Sequence, residues 1–286
     1  MSAKVFSSDN IRNVAVVGHS STGKTSLVSA VLFDTKELNR LGKVDKGSAV
    51  TDFDEESIER KITIATAVAH AIHGDTKVNL IDTPGYSIFT TEAMQGIKAA
   101  EAALILVSAV AGPEVQTEKM WRACEETGKP VLFAVNLMDR DNASSTRTLQ
   151  QLEKKFGREV VAVQLPIGQE HGFTGIVDLV RMTAFTFPGD ESGTPEKVDV
   201  PAELKDEAEA ARSALIEMVA EQDEELMEKF FADGTLSDED LTQGLSTAVA
   251  ERRIFPVHFL AAGKNVGVQP LLDAIVSFVP APSAVP

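Results

Sequence analysis

Gly18-His19-Ser20-Ser21-Thr22-Gly23-Lys24-Thr25 is the run from which the rest of the chain can be read. It matches G-x-x-x-x-G-K-[ST]. Two glycines at this spacing let the backbone wrap closely, so that successive N–H groups point inward at phosphate oxygens. Lys24 then reaches the β- and γ-phosphates, and the Thr25 hydroxyl takes one position on Mg²⁺. The flanks agree. Residues 13–17 read as a buried strand entering the loop, and residues 26–32 as a helix leaving it, its N-terminal dipole facing the anion. The candidate phosphate contacts are Gly18, His19, Ser20, Ser21, Thr22, Gly23, Lys24, Thr25 and Ser26. His19 can touch nucleotide, although structural filler is the stronger reading of its side chain.

Three further segments follow in the order a guanine-nucleotide site needs. Val78-Asn79-Leu80-Ile81-Asp82-Thr83-Pro84-Gly85 is a strand that carries Asp82 to its end, where a carboxylate can hold a Mg²⁺-bound water. Gly85 leaves its N–H free for a γ-phosphate oxygen, so Asp82, Thr83, Pro84 and Gly85 sense nucleotide state. Leu132-Phe133-Ala134-Val135-Asn136-Leu137-Met138-Asp139 is a strand followed by N-x-x-D, which makes Asn136, Leu137 and Asp139 the candidate base contacts. The Asp139 carboxylate can accept from guanine N1–H and the 2-amino group. Adenine offers neither donor and would leave a desolvated carboxylate unpaired. Phe255-Pro256-Val257-His258-Phe259-Leu260-Ala261-Ala262-Gly263 is a last strand and turn, in which the Ala262 N–H is aimed at guanine O6. Each segment is weak alone; together, at the C-terminal ends of successive strands, they predict an α/β P-loop GTPase with GTP or GDP and Mg²⁺ as ligands. In a metabolic P-loop kinase, Asn136 and Asp139 would have no task.

With these residues in place, the chain resembles the GTP-binding domain of bacterial elongation factor G, and more closely the elongation factor G-like paralogue group. Besides the motifs above, the resemblance rests on Glu59-Arg60-Lys61-Ile62-Thr63-Ile64, Tyr86, Gly172-Phe173-Thr174-Gly175-Ile176-Val177-Asp178-Leu179 and Lys264-Asn265-Val266-Gly267-Val268-Gln269-Pro270-Leu271-Leu272-Asp273. It implies that Thr63 is the switch threonine that joins Thr25 and Asp82 around Mg²⁺. The polar stretch from about Asp34 to Lys61 has the composition of a loop that orders and disorders. The alternative is a solvated surface loop, with Thr63 an ordinary strand residue. The resemblance further implies a ribosome-bound factor meeting the stalk protein and ribosomal RNA, with a β-barrel domain following the chain.

The departures from the family pattern matter most for turnover. Tyr86 stands where translocating factors carry a histidine beside the attacking water. A phenol is a poor general base at neutral pH, although its hydroxyl can orient a water. Ser21 replaces a P-loop carboxylate, Leu137 a lysine whose stem stacks on the base, Ala261 a serine bracing the aspartate, and Lys61 a switch glycine. The expectation is a GTPase in which Thr63, Gly85 and Tyr86 carry hydrolysis, slowly. Two readings stay open beside it: a guanine-nucleotide regulatory module with little turnover, and a ribosomal-protection or release-type GTPase.

The chain has 286 residues and a formal net charge of −16. That balance argues against broad binding to DNA or other nucleic acid, which needs clustered Lys and Arg. One cysteine, Cys124, reads as a small core residue and allows no disulfide framework. The five histidines show no ligand spacing. The longest apolar run, near residues 102–111, is too short to span a bilayer, and residues 1–10 hold no signal core. The resulting expectation is a cytoplasmic monomer with no membrane partner.

Strands at about 13–17, 63–72, 77–82, 103–109, 130–136 and 255–261 alternate with helices at about 24–33, 89–100, 116–127, 146–156 and 268–278. This predicts a six-stranded, doubly wound, mostly parallel sheet. About 115 residues separate N-x-x-D from the last strand, far more than one crossover needs. Residues 158–254 are therefore expected as an inserted α+β subdomain, with residues 1–157 and 255–280 forming the GTP-binding domain. Its first part reads as strands at 160–165 and 175–179. Its second part, from about residue 201, reads as amphipathic helices with roughly fifteen acidic against about five basic side chains. That face is either simply solvated or the surface that meets the stalk protein. Residues 281–286 read as a Pro- and Ala-rich linker.

Overall fold

The structure, a computed structural model, describes residues 5–284. Residues 1–4 of the N-terminal stretch and the last two residues of the expected linker lie outside them. The strands are β1 (Ile11–Gly18), β2 (Ala67–His73), β3 (Thr76–Asp82), β4 (Ala102–Ser108), β5 (Val131–Asn136), β6 (Val160–Ala162), β7 (Gln164–Ile167), β8 (Gly175–Asp178), β9 (Thr183–Thr186), β10 (Glu196–Val198) and β11 (Phe255–Phe259). The helices are α1 (Lys24–Asp34), α2 (Glu55–Arg60), α3 (Thr90–Ala99), α4 (Val115–Thr127), α5 (Ser145–Phe156), α6 (Lys205–Ala220), α7 (Glu224–Asp233), α8 (Asp238–Ala250) and α9 (Val268–Phe278).

The main sheet runs β2-β3-β1-β4-β5-β11-β6, parallel except for the β2–β3 hairpin. Central strands β4 and β5 are buried at every residue, as parallel strands covered on both faces must be. Edge strand β2 alternates buried and open positions. One face of the sheet packs α1, α9 and the helices after residue 205. The other packs α3, α4 and α5 around Trp121, whose ring lies 5.8 Å from Phe133, 4.9 Å from Phe156 and 4.7 Å from Phe255. The fully buried Cys124 belongs to this second core, where burial pushes its thiol up to about 12.

The sheet has seven strands among the described residues, not six. Val160–Ala162, expected in the insert, pairs in parallel with β11 and closes the main sheet. The chain then turns away: the Val163 N–H donates to the Val257 carbonyl, and Gln164 begins a separate antiparallel sheet of order β10-β9-β8-β7. The polar stretch after α1 also differs from the expected loop. It carries a 3₁₀ turn at Val44–Lys46 and the short helix α2, and strand β2 starts only at Ala67.

Sheet order reverses at β1, with β3 on one side and β4 on the other. The loop after β1 therefore opens at the topological switch point, at the carboxyl edge where open α/β sheets bind ligands.

Candidate functional site

A cleft of ≈ 580 Å³ opens at that edge. The loop after β1 forms its floor through Ser20, Ser21, Gly23, Lys24, Thr25 and Ser26. Ile62 and Thr63 close one side with Gly85 and Tyr86; Leu137, Asp139, Ala262 and Gly263 form the other. Four motifs far apart in sequence thus meet in one concavity. The remaining expected residues support it from behind. Asn136, fully buried, donates from Nδ2 to the Thr22 carbonyl (2.8 Å) and accepts the Ala262 N–H at Oδ1 (2.9 Å). It ties the phosphate loop to the last motif. The Thr83 hydroxyl donates back to the Val16 carbonyl at 2.8 Å, inside the sheet. Gly18, Pro84 and Ala261 likewise do not line the cleft.

Two expectations change. The His19 ring turns away from the cleft toward Glu114, Nε2 to Oε1 3.4 Å, while its carbonyl accepts the Lys24 ammonium at 2.8 Å. The Ala262 N–H, expected to face guanine O6, is already engaged by Asn136.

Electrostatically the cleft is organised around buried charge. Burial lowers Lys24 to about 8 despite the pull of Asp82 and Asp52. Burial raises Asp82 to about 6, partly offset by the Thr51 and Thr25 hydroxyls and by Lys24. Thr51 Oγ1 donates to Asp82 Oδ2 at 2.6 Å. Burial raises Asp52 as well, against the Thr63 hydroxyl and Lys24. Asp82 Oδ1 and Asp52 Oδ1 are buried with no partner among the described residues. The Thr25 and Thr63 hydroxyls stand 3.0 Å apart. Hard oxygen donors of this kind fit Mg²⁺, which takes one or two carboxylates and completes its shell from water and phosphate. Among the described residues no group of three or more His, Cys, Asp or Glu converges to hold a metal unaided. Gly85 is needed as glycine here: a Cβ would lie 2.3 Å from Lys24 Nζ and 2.7 Å from the His19 carbonyl oxygen.

Several residues in or behind the cleft were not read as site residues from the sequence. Asp52 and Thr51 sit in a polar stretch whose many acidic side chains look alike in sequence. Lys264 places Nζ 3.5 Å from Asp139 Oδ2, a brace supplied where Ala261 has no hydroxyl. Lys43 also lines the cleft. Tyr86 lines the cleft and is 40% exposed.

The chain matches the family model described as Elongation factor Tu GTP binding domain over residues 9–281. It is also similar to the crystal structure of a protein from Thermus thermophilus, with a TM-score of 0.90 and 31% sequence identity. That likeness covers 96% of this chain and 41% of the other, so this chain spans well under half of that protein's length.

Proposed function

Since this chain belongs to the elongation factor Tu GTP-binding domain family, we propose that it is the nucleotide-switching domain of an elongation factor G-like translational factor. The observation that carries the reading is the meeting of the phosphate loop, Gly85, Thr63 and the Asn136–Asp139 and Ala261–Gly263 motifs around one cleft. In this account the loop N–H groups and Lys24 hold the phosphates of GTP or GDP. Asp139, braced by Lys264, accepts from guanine N1–H and the 2-amino group. Thr25 and Thr63 would hold Mg²⁺ directly, and Asp82 and Asp52 through water. Held there, that ion would offset the charge developing on the transferred phosphoryl group. The Gly85 N–H reads the γ-phosphate, and the adjacent Tyr86 hydroxyl orients the attacking water. Loss of the γ-phosphate removes the reason for Thr63 to stay against Thr25 and frees the stretch before it.

The ribosome is the proposed partner, reached through the full-length protein, with the acidic helices α6–α8 as the surface toward the stalk protein. Tyr86 favours a second reading on one observation: a phenol 40% exposed at the rim of the cleft is a weak water-positioning group, which suits a regulatory module with a long-lived GTP state. Turnover of GTP by the full-length protein, with and without ribosomes, tests both. We expect ribosomes to stimulate it, and Tyr86→His to raise the stimulated rate with nucleotide affinity within about threefold of the parent. Ser21→Asp, alone and combined, covers the second departure. No stimulation in any of the four proteins would rule out the elongation factor G-like reading in favour of the regulatory one.

A further inference from the structure

The cleft has two lips beside the base-facing residues, and one side chain joins them. Lys43, in the stretch between α1 and α2, donates from Nζ to the Gly263 carbonyl at 3.0 Å and to Glu191 Oε1 at 2.8 Å. Its side chain is 29% exposed and lines the cleft. Three segments distant in sequence meet at this ammonium: the switch stretch, the loop between β9 and β10, and the base loop.

A second cross-tie backs the first. Asn265, fully buried just after the base loop, donates from Nδ2 to Asp34 Oδ1 at 2.6 Å and to the Glu191 carbonyl at 3.3 Å. The loop carrying Glu191 is fitted closely against this pair. Gly193 has φ +70, and a Cβ there would lie 2.1 Å from Asn265 Nδ2 and 2.3 Å from Asp34 Oδ1. Glu191 itself takes φ +63, a conformation most side chains avoid, beside an Asp190 carboxylate that accepts the Ser192 N–H at 2.9 Å. Glu191 is thus held in place to meet Lys43.

We propose that Lys43 is a positioning residue that latches the cleft and slows release of the guanine nucleotide. The proposal rests on the guanine-nucleotide reading above. For base and phosphates to leave, the lips must part. Parting breaks two charge-assisted bonds at one ammonium. Fixing the Gly263 carbonyl fixes the peptide that follows Gly263, one residue beyond Ala262, and with it the loop facing the base. Contacts of this kind act chiefly on dissociation rather than association.

Stopped-flow release of N-methylanthraniloyl-GDP from the chain, with Mg²⁺, tests the latch. Lys43→Ala should release the nucleotide about five- to tenfold faster, with an association rate within about twofold of the parent. Lys43→Arg, which keeps the charge and the donors, should stay within about twofold. Glu191→Gln should fall between the two. Added salt should speed release from the parent more than from Lys43→Ala, a response that lost packing would not give. A parent that does not bind the probe contradicts the guanine-nucleotide reading itself and is read first. A parent that binds, with Lys43→Ala releasing at the parental rate, overturns the latch. Equal acceleration by Arg and Ala also overturns it, since packing rather than the bonds would then be responsible. If Lys43→Ala does not fold, unchanged release from Glu191→Gln overturns it.

Discussion

Base choice in this account rests on one carboxylate. Asp139 is 13% exposed in its side chain and is paired with Lys264, so it is held as an acceptor at the wall of the cleft. Asp139→Asn turns an acceptor into a group that can donate where guanine N1–H also donates. Preference should move from guanosine to xanthosine triphosphate, by at least about tenfold in their ratio, because each unpaired polar group in a desolvated site costs about 1–3 kcal/mol. Competition titration against a fluorescent nucleotide checks it; an unchanged ratio would mean that Asp139 does not face the base. Asp139 was legible because N-x-x-D follows an apolar strand. Lys264 was not legible as its brace, since only the pairing of β11 with β5 brings the two loops together. Asp52 was hidden for another reason. One acid among many in a polar stretch carries no local signal, and its place beside Thr63 and Lys24 is a product of the fold.

Among the elements, β11 shows both what alternation reveals and what it hides. Phe255, Val257 and Phe259 face the aromatic core on one side of the sheet. His258 faces the other way, into a cavity of ≈ 450 Å³ also lined by Gln164 and Phe278. It is 2% exposed, and neither ring nitrogen has a partner among the described residues. Burial drives it down to about 3. A folded-state value below the unfolded one means that the unfolded chain takes up the proton first. The His258 contribution is therefore whole above about pH 6.5 and is lost as pH falls toward 3. Between about pH 7.5 and about pH 5 it amounts to about 2 kcal/mol. Urea melts at those two pH values should show His258→Leu losing about that much less stability than the parent, and equal losses would sink the assignment. The strands of the main sheet were legible as apolar runs closed by motif residues. β6 was not, because residues 160–165 form one almost unbroken apolar run. Only its pairing with β11, and the turn at Val163, divide it between two sheets.

At the scale of the whole molecule, a chain of net charge −16 carries a cleft built for a polyanion. The two facts are compatible because half of the acidic excess lies on α6–α8, while Lys24 acts at close range inside a buried floor. Motif order made the doubly wound sheet legible. The ties that join the insert to the cleft, through Glu191, Gly193 and Asn265, could not be read from spacing, because they depend on how two sheets sit against each other. The most direct test of the central claim is calorimetric titration of this chain with GDP and with ADP in Mg²⁺, for the parent and for Lys24→Ala. The account predicts one GDP site, ADP at least about a hundredfold weaker, and a loss of about tenfold to a hundredfold in GDP affinity when Lys24 and its charge-assisted contacts are removed. ADP bound as tightly as GDP, or GDP affinity untouched by Lys24→Ala, would contradict it.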